Sequence, residues 1–293
     1  MIALDVVLGN RPRAKQSATA PFVYLDQWAY MALAKDQGQL QRFADEIVRS
    51  EGTLAFSMAN YYELSQISDI GQLGRIEDLF RQIWPRLAFL NSDPTAVIEN
   101  EDEVWGDTSN QAPHLDDWML NKYVERYRPS VNPRDPRGFL LQFRDPHPGI
   151  AYDFQSAYGL LVKGFKAAVE KTRCMYQRDD SARREVNSSP TGERVPHPTR
   201  HILDQAVKSI VKGNFNVRDP NEVADFLHMV VPVSYCSLVL LDKAWAEWAR
   251  RVQKSVRHAG LLTHDAAVFS PKTLDQFWAA IGRYRPSCVQ GQR

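Results

Sequence analysis

The chain alternates short apolar runs with longer segments in which apolar residues recur every three or four positions. Runs that are apolar throughout predict strands buried on both faces, and the longer segments predict amphipathic helices. Strands separated by helices are typical of a parallel sheet covered on both sides. We therefore predict a three-layer α/β/α fold with a mostly parallel sheet. The predicted strands lie within residues 21–26, 52–57, 86–91, 236–241 and 266–270.

Residues 93–200 interrupt this alternation and are interpreted as a mainly helical insertion. Their clearest feature is a long amphipathic helix over 152–172. Residues 128–149 are rich in Pro and Arg and predict irregular structure. Residues 177–198 are polar and interrupted by Pro, which predicts an exposed, mobile loop with a basic character. Residues 1–92 and 201–293 are then the two halves of one α/β domain.

The overall charge is nearly balanced, but its distribution is uneven. The 293 residues contain 36 Lys and Arg against 35 Asp and Glu, a net charge of +1. Residues 93–125 contain nine acids and one base, whereas residues 163–212 contain eleven bases and six acids. This contrast is typical either of a basic surface that faces a substrate or of two solvated surfaces.

The three cysteines have no spacing typical of a metal site, and any disulfide would leave one of them unpaired. This usage favours a reducing compartment. The N-terminus lacks the order of segments found in a secretory signal, and no apolar run approaches the roughly 20 residues that span a bilayer. We expect a cytoplasmic protein without a membrane partner.

Acidic residues stand at related places in this predicted fold. Asp26 and Asp242 each follow an apolar strand and precede a helix, and Glu63 lies in the helix after another strand. Glu222 and Asp225 share one face of the helix before the strand that leads to Asp242. Because the carboxyl ends of parallel strands lie at one edge of a sheet, we expect these acids to converge. Oxygen ligands of this kind suit a hard cation such as Mg²⁺ or Mn²⁺.

Each of these acids also has a purely structural interpretation. An Asp directly before a helix is commonly an N-cap, which applies to Asp26 and Asp242. Glu63 would then be a solvated side chain, and Glu222 a favourable partner of the helix dipole. His228, on the same helix as Asp225, is either a core histidine or a site residue. The metal hypothesis therefore depends on the whole set and not on one residue.

Other enzyme classes fit the sequence less well. No Gly-rich phosphate loop follows a predicted strand, which argues against a P-loop or Rossmann nucleotide site. Trp28 occupies the place of the second Asp that a phosphatase of the haloacid-dehalogenase type requires. No nucleophile-elbow sequence supports a serine hydrolase.

Four segments together resemble the PIN domain, a metal-dependent nuclease family, in its uncharacterised bacterial branch. They cover about 90 of the 293 residues in the family's order. Two positions depart from the pattern, because Trp28 replaces an Asn and Ser237 replaces an Asp, and we expect both changes to remove polarity close to the site. The matching segments are VYLDQWAYMALAK, FSMANYYELSQI, NEVADFLHMVVPVSYCSLVLLDKAW and VFSPKTLDQFWAAI.

The resemblance implies a nuclease that hydrolyses phosphodiester bonds with Mg²⁺ or Mn²⁺, in RNA rather than DNA. It implies a catalytic metal set of Asp26, Glu63, Asp225 and Asp242, with Glu222 as a further ligand. Toxin-like relatives also suggest an inhibitory protein partner. The alternative is a catalytically degenerate PIN-like scaffold that binds RNA or a protein. The predicted substrate contacts are Lys243, His228, Arg183 and Arg184.

Overall fold

A five-stranded, wholly parallel sheet forms the centre of the protein. The computed structural model describes residues 2–5, 13–103, 115–117, 120, 150–188, 198–213, 220–262 and 264–284. The sheet has the spatial order β5-β4-β3-β6-β7, and each neighbouring pair is parallel. Every sheet strand falls within one of the predicted apolar runs, and the predicted fold class is confirmed. The sheet strands are β3 (Phe22–Leu25), β4 (Thr53–Ser57), β5 (Leu87–Leu90), β6 (Leu238–Leu240) and β7 (Ala267–Phe269).

Helices follow the strands, and a small hairpin precedes the sheet. The antiparallel hairpin of β1 (Ile2–Asp5) and β2 (Arg13–Gln16) was not predicted from the sequence. Within the described ranges, every helix is too short or too polar to cross a membrane. The helices are α1 (Gln27–Lys35), α2 (Gln37–Arg49), α3 (Met58–Ser65), α4 (Ile70–Ile83), α5 (Pro94–Glu103), α6 (Ile150–Arg178), α7 (Asp180–Asn187), α8 (Pro198–Val211), α9 (Pro220–Tyr235), α10 (Lys243–His258) and α11 (Leu274–Arg283).

Both faces of the sheet are buried. Along β3, Val23 and Leu25 join one apolar cluster, and Phe22 and Tyr24 join the other. The first cluster contains side chains of α1, α2, α4 and α11, and the second contains side chains of α6, α8, α9 and α10. Successive strand residues point to opposite faces, so the uniformly apolar runs follow directly from this double coverage.

One prediction in the middle of the chain is wrong. Residues Asp180–Asn187, assigned to a mobile loop, form helix α7. Asp179 caps the helix by accepting a hydrogen bond from the Ser181 N–H, and buried Val186 gives it an apolar contact. The predicted helix over 152–172 exists and extends further in both directions. The predicted irregular segment 128–149 lies outside the described residues.

The order of the strands defines a crevice at one edge of the sheet. From β3 the chain adds β4 and β5 on one side, and it then returns to place β6 on the other side of β3. At such a reversal, helices leave neighbouring strands in opposite directions and open a crevice beyond the carboxyl ends of those strands. The relevant strand ends are Leu25 of β3 and Leu240 of β6, which are paired in register.

Candidate acidic site at the carboxyl edge of the sheet

Asp26 and Asp242 lie side by side at this crevice. Asp26 accepts a hydrogen bond from the Ala29 N–H at 3.0 Å through Oδ1 and one from the Asp242 N–H at 2.6 Å through Oδ2. Asp242 in turn accepts from the Trp245 N–H at 2.9 Å. Each residue therefore caps the helix that follows it, as the structural interpretation predicts. Asp26 does more than cap, because it also joins the ends of β3 and β6.

Glu63 approaches the same region from α3. A capping box between Ser57 and Asn60 starts this helix, and the Asn60 side chain donates to the Leu25 carbonyl at 2.8 Å. The end of β3 and the first turn of α3 are thereby held together, with Glu63 one turn further along. Glu63 Oε2 lies 2.6 Å from His228 Nε2, with exposed side-chain fractions of 14% and 2%.

The buried imidazole of His228 is held from both sides. Its Nδ1 contacts the Tyr24 hydroxyl, which also lies 3.0 Å from the Ser57 hydroxyl. Burial alone lowers the pKa of His228, but attraction from Glu63, the hydrogen bond to Glu63, and attraction from Asp26 and Asp225 raise it above its ordinary value. In the cationic form, His228 donates to both Glu63 and Tyr24, and the Tyr24 hydroxyl is left to donate to Ser57.

The acids and His228 form one electrostatic cluster. Burial raises the pKa of Asp26 to about 7, with a further contribution from the charge of Glu63 and an opposing one from His228. Burial likewise raises the pKa of Asp225 to about 6, reinforced by Glu63 and Asp242 and opposed by His228. A bound cation would reverse these shifts, because it favours the ionised carboxylates.

The other predicted site residues lie in different surroundings. Glu222 is partly buried one turn before Asp225 on α9, and Lys243 is exposed beside Asp242. The His228 side chain is only 2% exposed, and its two ring nitrogens contact Glu63 and Tyr24. Arg183 and Arg184 are exposed on α7, which packs mainly on α6 and α8 rather than on the site elements. Arg183 also forms an ion pair with Asp180.

The two departures from the family pattern lie in different places. Trp28 is partly buried and packs against the apolar cluster of α1 and α2. Ser237 stands at the start of β6, where its hydroxyl accepts from the Phe22 N–H at 3.2 Å. The four-residue step from Ser237 to Leu241 spans about 13 Å of extended chain. The expectation that Ser237 removes polarity close to the acids is therefore wrong, because it lies at the opposite edge of the sheet.

Sequence reasoning missed the part that Tyr24 and Ser57 play. Both lie in predicted strands, at 21–26 and 52–57, and the Tyr24 hydroxyl contacts both Ser57 and His228, so it joins three separate segments. The signal was slight: Tyr24 is a polar-tipped residue in an otherwise apolar strand, two positions before Asp26. A buried tyrosine usually needs a partner for its hydroxyl, so it points to a polar neighbour without identifying that neighbour.

The acidic residues suit a metal ion in their donor chemistry but not in their present arrangement. The donor types are carboxylate oxygens, which hard divalent cations prefer. Burial is the main cause of the raised pKa values of Asp26 and Asp225, and the charge of neighbouring acids adds to it. Among the described residues, however, no group of three or more His, Cys, Asp or Glu side chains is arranged to hold a metal ion. In the present arrangement, Glu63 Oε2 contacts His228, and each carboxylate oxygen of Asp26 accepts a backbone hydrogen bond.

Comparison of the chain with protein-family profiles, curated proteins and solved structures gives no match.

Proposed function

We propose that the protein is a metal-dependent nuclease of the PIN-like type that hydrolyses phosphodiester bonds in RNA. The observation that carries the proposal is the contact between Asp26 and Asp242, which joins two carboxylate residues at the reversal point of the sheet. Open α/β sheets bind ligands at this position. The proposal is supported by electrostatic interactions among the acids: Glu63 acts on Asp26, and Glu63 and Asp242 act on Asp225.

The proposed ligand set for Mg²⁺ or Mn²⁺ is Asp26, Glu63, Asp225 and Asp242, with Glu222 at its margin. A bound cation of this kind supplies charge for phosphate oxygens and lowers the pKa of a bound water. The chain itself holds the acids in place. His228 orients Glu63 through its 2.6 Å contact, and second neighbours of this kind commonly tune a ligand. Exposed Lys243 provides a positive charge for a phosphate beside Asp242.

The direct test is cleavage of a labelled, mixed-sequence single-stranded RNA with Mg²⁺ or Mn²⁺. Asp26→Asn and Asp242→Asn should abolish cleavage, because Asn can still cap a helix but brings no negative charge. Asp69→Asn is the matched control, since Asp69 also caps a helix but is exposed and belongs to α4. The proposal fails if the folded wild-type protein leaves RNA intact with either metal, or if Asp26→Asn cleaves as fast as the wild type.

A second function is a PIN-like scaffold that binds RNA or a protein without cleaving it. This function is favoured by the hydrogen bonds that the acids already form within the protein. Both carboxylate oxygens of Asp26 accept backbone hydrogen bonds, and Glu63 contacts His228. Titration of the protein with Mn²⁺, followed by electron paramagnetic resonance, separates the two functions. The nuclease should bind Mn²⁺ and lose that binding in Asp26→Asn, whereas a scaffold should bind RNA or a protein without binding Mn²⁺.

A further inference from the structure

Helix α10 begins at the acidic site and has a strongly basic outer face. Its inner face is apolar and packs into the second cluster. Its outer face carries five Lys or Arg residues and one acid, Glu247. The bases recur at intervals close to a helical turn, so they follow one side of the helix away from Asp242. They are Lys243, Arg250, Arg251, Lys254 and Arg257.

A groove beside this face adds two more bases. Helices α8 and α10 run antiparallel, because Gln205 contacts Ser255 at 3.1 Å and Ser209 contacts Trp248 at 2.9 Å. Between them lies a cavity of about 320 Å³, whose lining includes Lys208 of α8, Lys212 in the turn directly after α8, and Arg251 of α10. Lys208 is paired with Asp204 at 3.1 Å. Lys212 and Arg251 have no carboxylate partner among the described residues.

A second basic groove lies on the other flank of α10. Its volume is about 450 Å³, and its lining includes Lys254 and His258. Arg250 and Arg257 also line it but have structural partners. Arg250 donates to the Val268 carbonyl at 3.0 and 3.2 Å, and Arg257 pairs with Asp265. Lys254 has no acidic partner in the ranges that the structure describes.

We propose that this basic face, consisting of α10 with Lys208 of α8 and Lys212 directly after α8, binds the phosphate backbone of an RNA strand. The direction of the strand, towards Asp242, rests on the proposed nuclease function, whereas the binding itself does not. Helix geometry places Arg251 about 13 Å and Lys254 about 18 Å along the axis from Asp242. The face is therefore long enough to contact several phosphates before the strand reaches the acids.

The character of the face favours a nucleic acid over an acidic protein. Protein interfaces depend on buried aromatic or aliphatic anchors, whereas binding to a phosphate backbone depends on cations. The exposed large apolar residues of the described chain are Val48, Ile70, Leu160 and Met175, none of which lies on α8 or α10. The earlier candidates on α7 fit less well, because Arg183 and Arg184 stand among Asp180 and Glu185 in a helix without excess positive charge.

The test measures binding of a fluorescein-labelled, mixed-sequence 20-nucleotide RNA by anisotropy, in EDTA so that cleavage does not interfere. The triple variant Lys212→Gln, Arg251→Gln, Lys254→Gln should weaken binding on the order of tenfold or more. Three lost phosphate contacts should also reduce the slope of log K against log salt concentration by about 2 for a single strand. The proposal is overturned if the triple variant binds as tightly as the wild type.

The control removes the same number of charges from α6 with Lys163→Gln, Lys171→Gln and Arg178→Gln, all at exposed positions. This variant should change affinity less than twofold, and an equal loss in both triple variants would overturn the proposal by showing that only net charge matters. Polyglutamate that displaces the RNA at a lower charge concentration than unlabelled RNA would instead indicate an acidic protein partner and also overturn it. Cleavage is measured with metal and binding is measured in EDTA, so loss of cleavage in Asp26→Asn and loss of binding in the basic-face triple variant are distinguishable failures.

Discussion

His228 Nε2 lies 2.6 Å from Glu63 Oε2, and the imidazole is almost wholly removed from solvent. A buried cation next to a buried anion is stable only while both are present, because either group alone has no compensation for its lost hydration. Here the cation also faces Asp26 and Asp225, whose charges raise the pKa of His228. His228 is thus the internal counter-charge of the acidic cluster.

Replacement of His228 by Gln should therefore destabilise the protein by about 3 kcal/mol, since Glu63 would remain buried without its partner. Urea denaturation followed by circular dichroism measures this change. His258→Gln, at an exposed position near the end of α10, is the matched control and should change stability by less than about 0.5 kcal/mol. Equal stabilities of the two variants would contradict the role given to His228.

The stability of the metal-free protein should fall as the pH rises from about 5 to 8. Burial holds the pKa of Asp26 near 7, so the folded state keeps a proton that the unfolded chain releases near pH 4. This contribution is complete below pH 4 and is lost as the pH passes through 7. Asp225, with a pKa near 6, acts in the same direction.

Asp26→Asn should remove the larger part of this dependence, because Asn has no charge to bury. The difference in free energy of unfolding between Asp26→Asn and the wild type should shift by about 2 kcal/mol in favour of the variant from pH 5 to pH 8. Denaturation in EDTA at the two pH values measures this shift. Asp69→Asn changes an exposed helix cap and is the control. Its free energy of unfolding should differ from that of the wild type by the same amount at pH 5 and at pH 8. A constant difference for Asp26→Asn would mean that Asp26 stays ionised throughout this range.

Two variants of Asp242 should separate its role as a helix cap from its proposed role as a metal ligand. Asp242→Ala should cost about 1 kcal/mol of stability, because the Trp245 N–H loses its cap, whereas Asp242→Asn should keep that stability. Under the proposed function, both should weaken Mn²⁺ binding at least tenfold, as measured by electron paramagnetic resonance. Unchanged Mn²⁺ affinity in Asp242→Asn would remove Asp242 from the ligand set.

Placing a carboxylate at position 237 with Ser237→Asp, as the PIN pattern has it, should not improve metal binding. Ser237 contacts Phe22 at the amino edge of the sheet, about 13 Å of strand away from the acids. We expect Mn²⁺ affinity to stay within twofold of the wild type by the same spectroscopic titration. An increase of tenfold would show that Ser237 lies closer to the cluster than the structure places it.

The sequence was sufficient to predict the strands and the edge at which Asp26 and Asp242 lie. Uniformly apolar runs identify buried parallel strands, and a parallel sheet brings the residues that follow its strands to one edge. The contact of Tyr24 with His228 could not be predicted, since it joins residues 204 positions apart through side-chain orientation alone. No local pattern carries that information.

Two further misses have different causes. Helix α7 has a polar composition typical of a loop, and the cap formed by Asp179 outweighs it. The basic face of α10 was present in the sequence as five bases between Lys243 and Arg257, four of them within residues 250–257. It becomes apparent only when α8 is placed beside it, because Lys208 and Lys212 complete the groove.

The hydrogen bond from Asp242 to Asp26 also makes the acidic cluster depend on the order in which the chain is synthesised. The two residues are 216 positions apart. The Asp242 N–H, which donates the hydrogen bond to Asp26, is therefore synthesised long after Asp26 itself. A nascent chain that has not yet placed β6 beside β3 contains Asp26 without Asp242. Its acidic cluster is incomplete until the last third of the chain has folded, so translation itself delays the formation of the site.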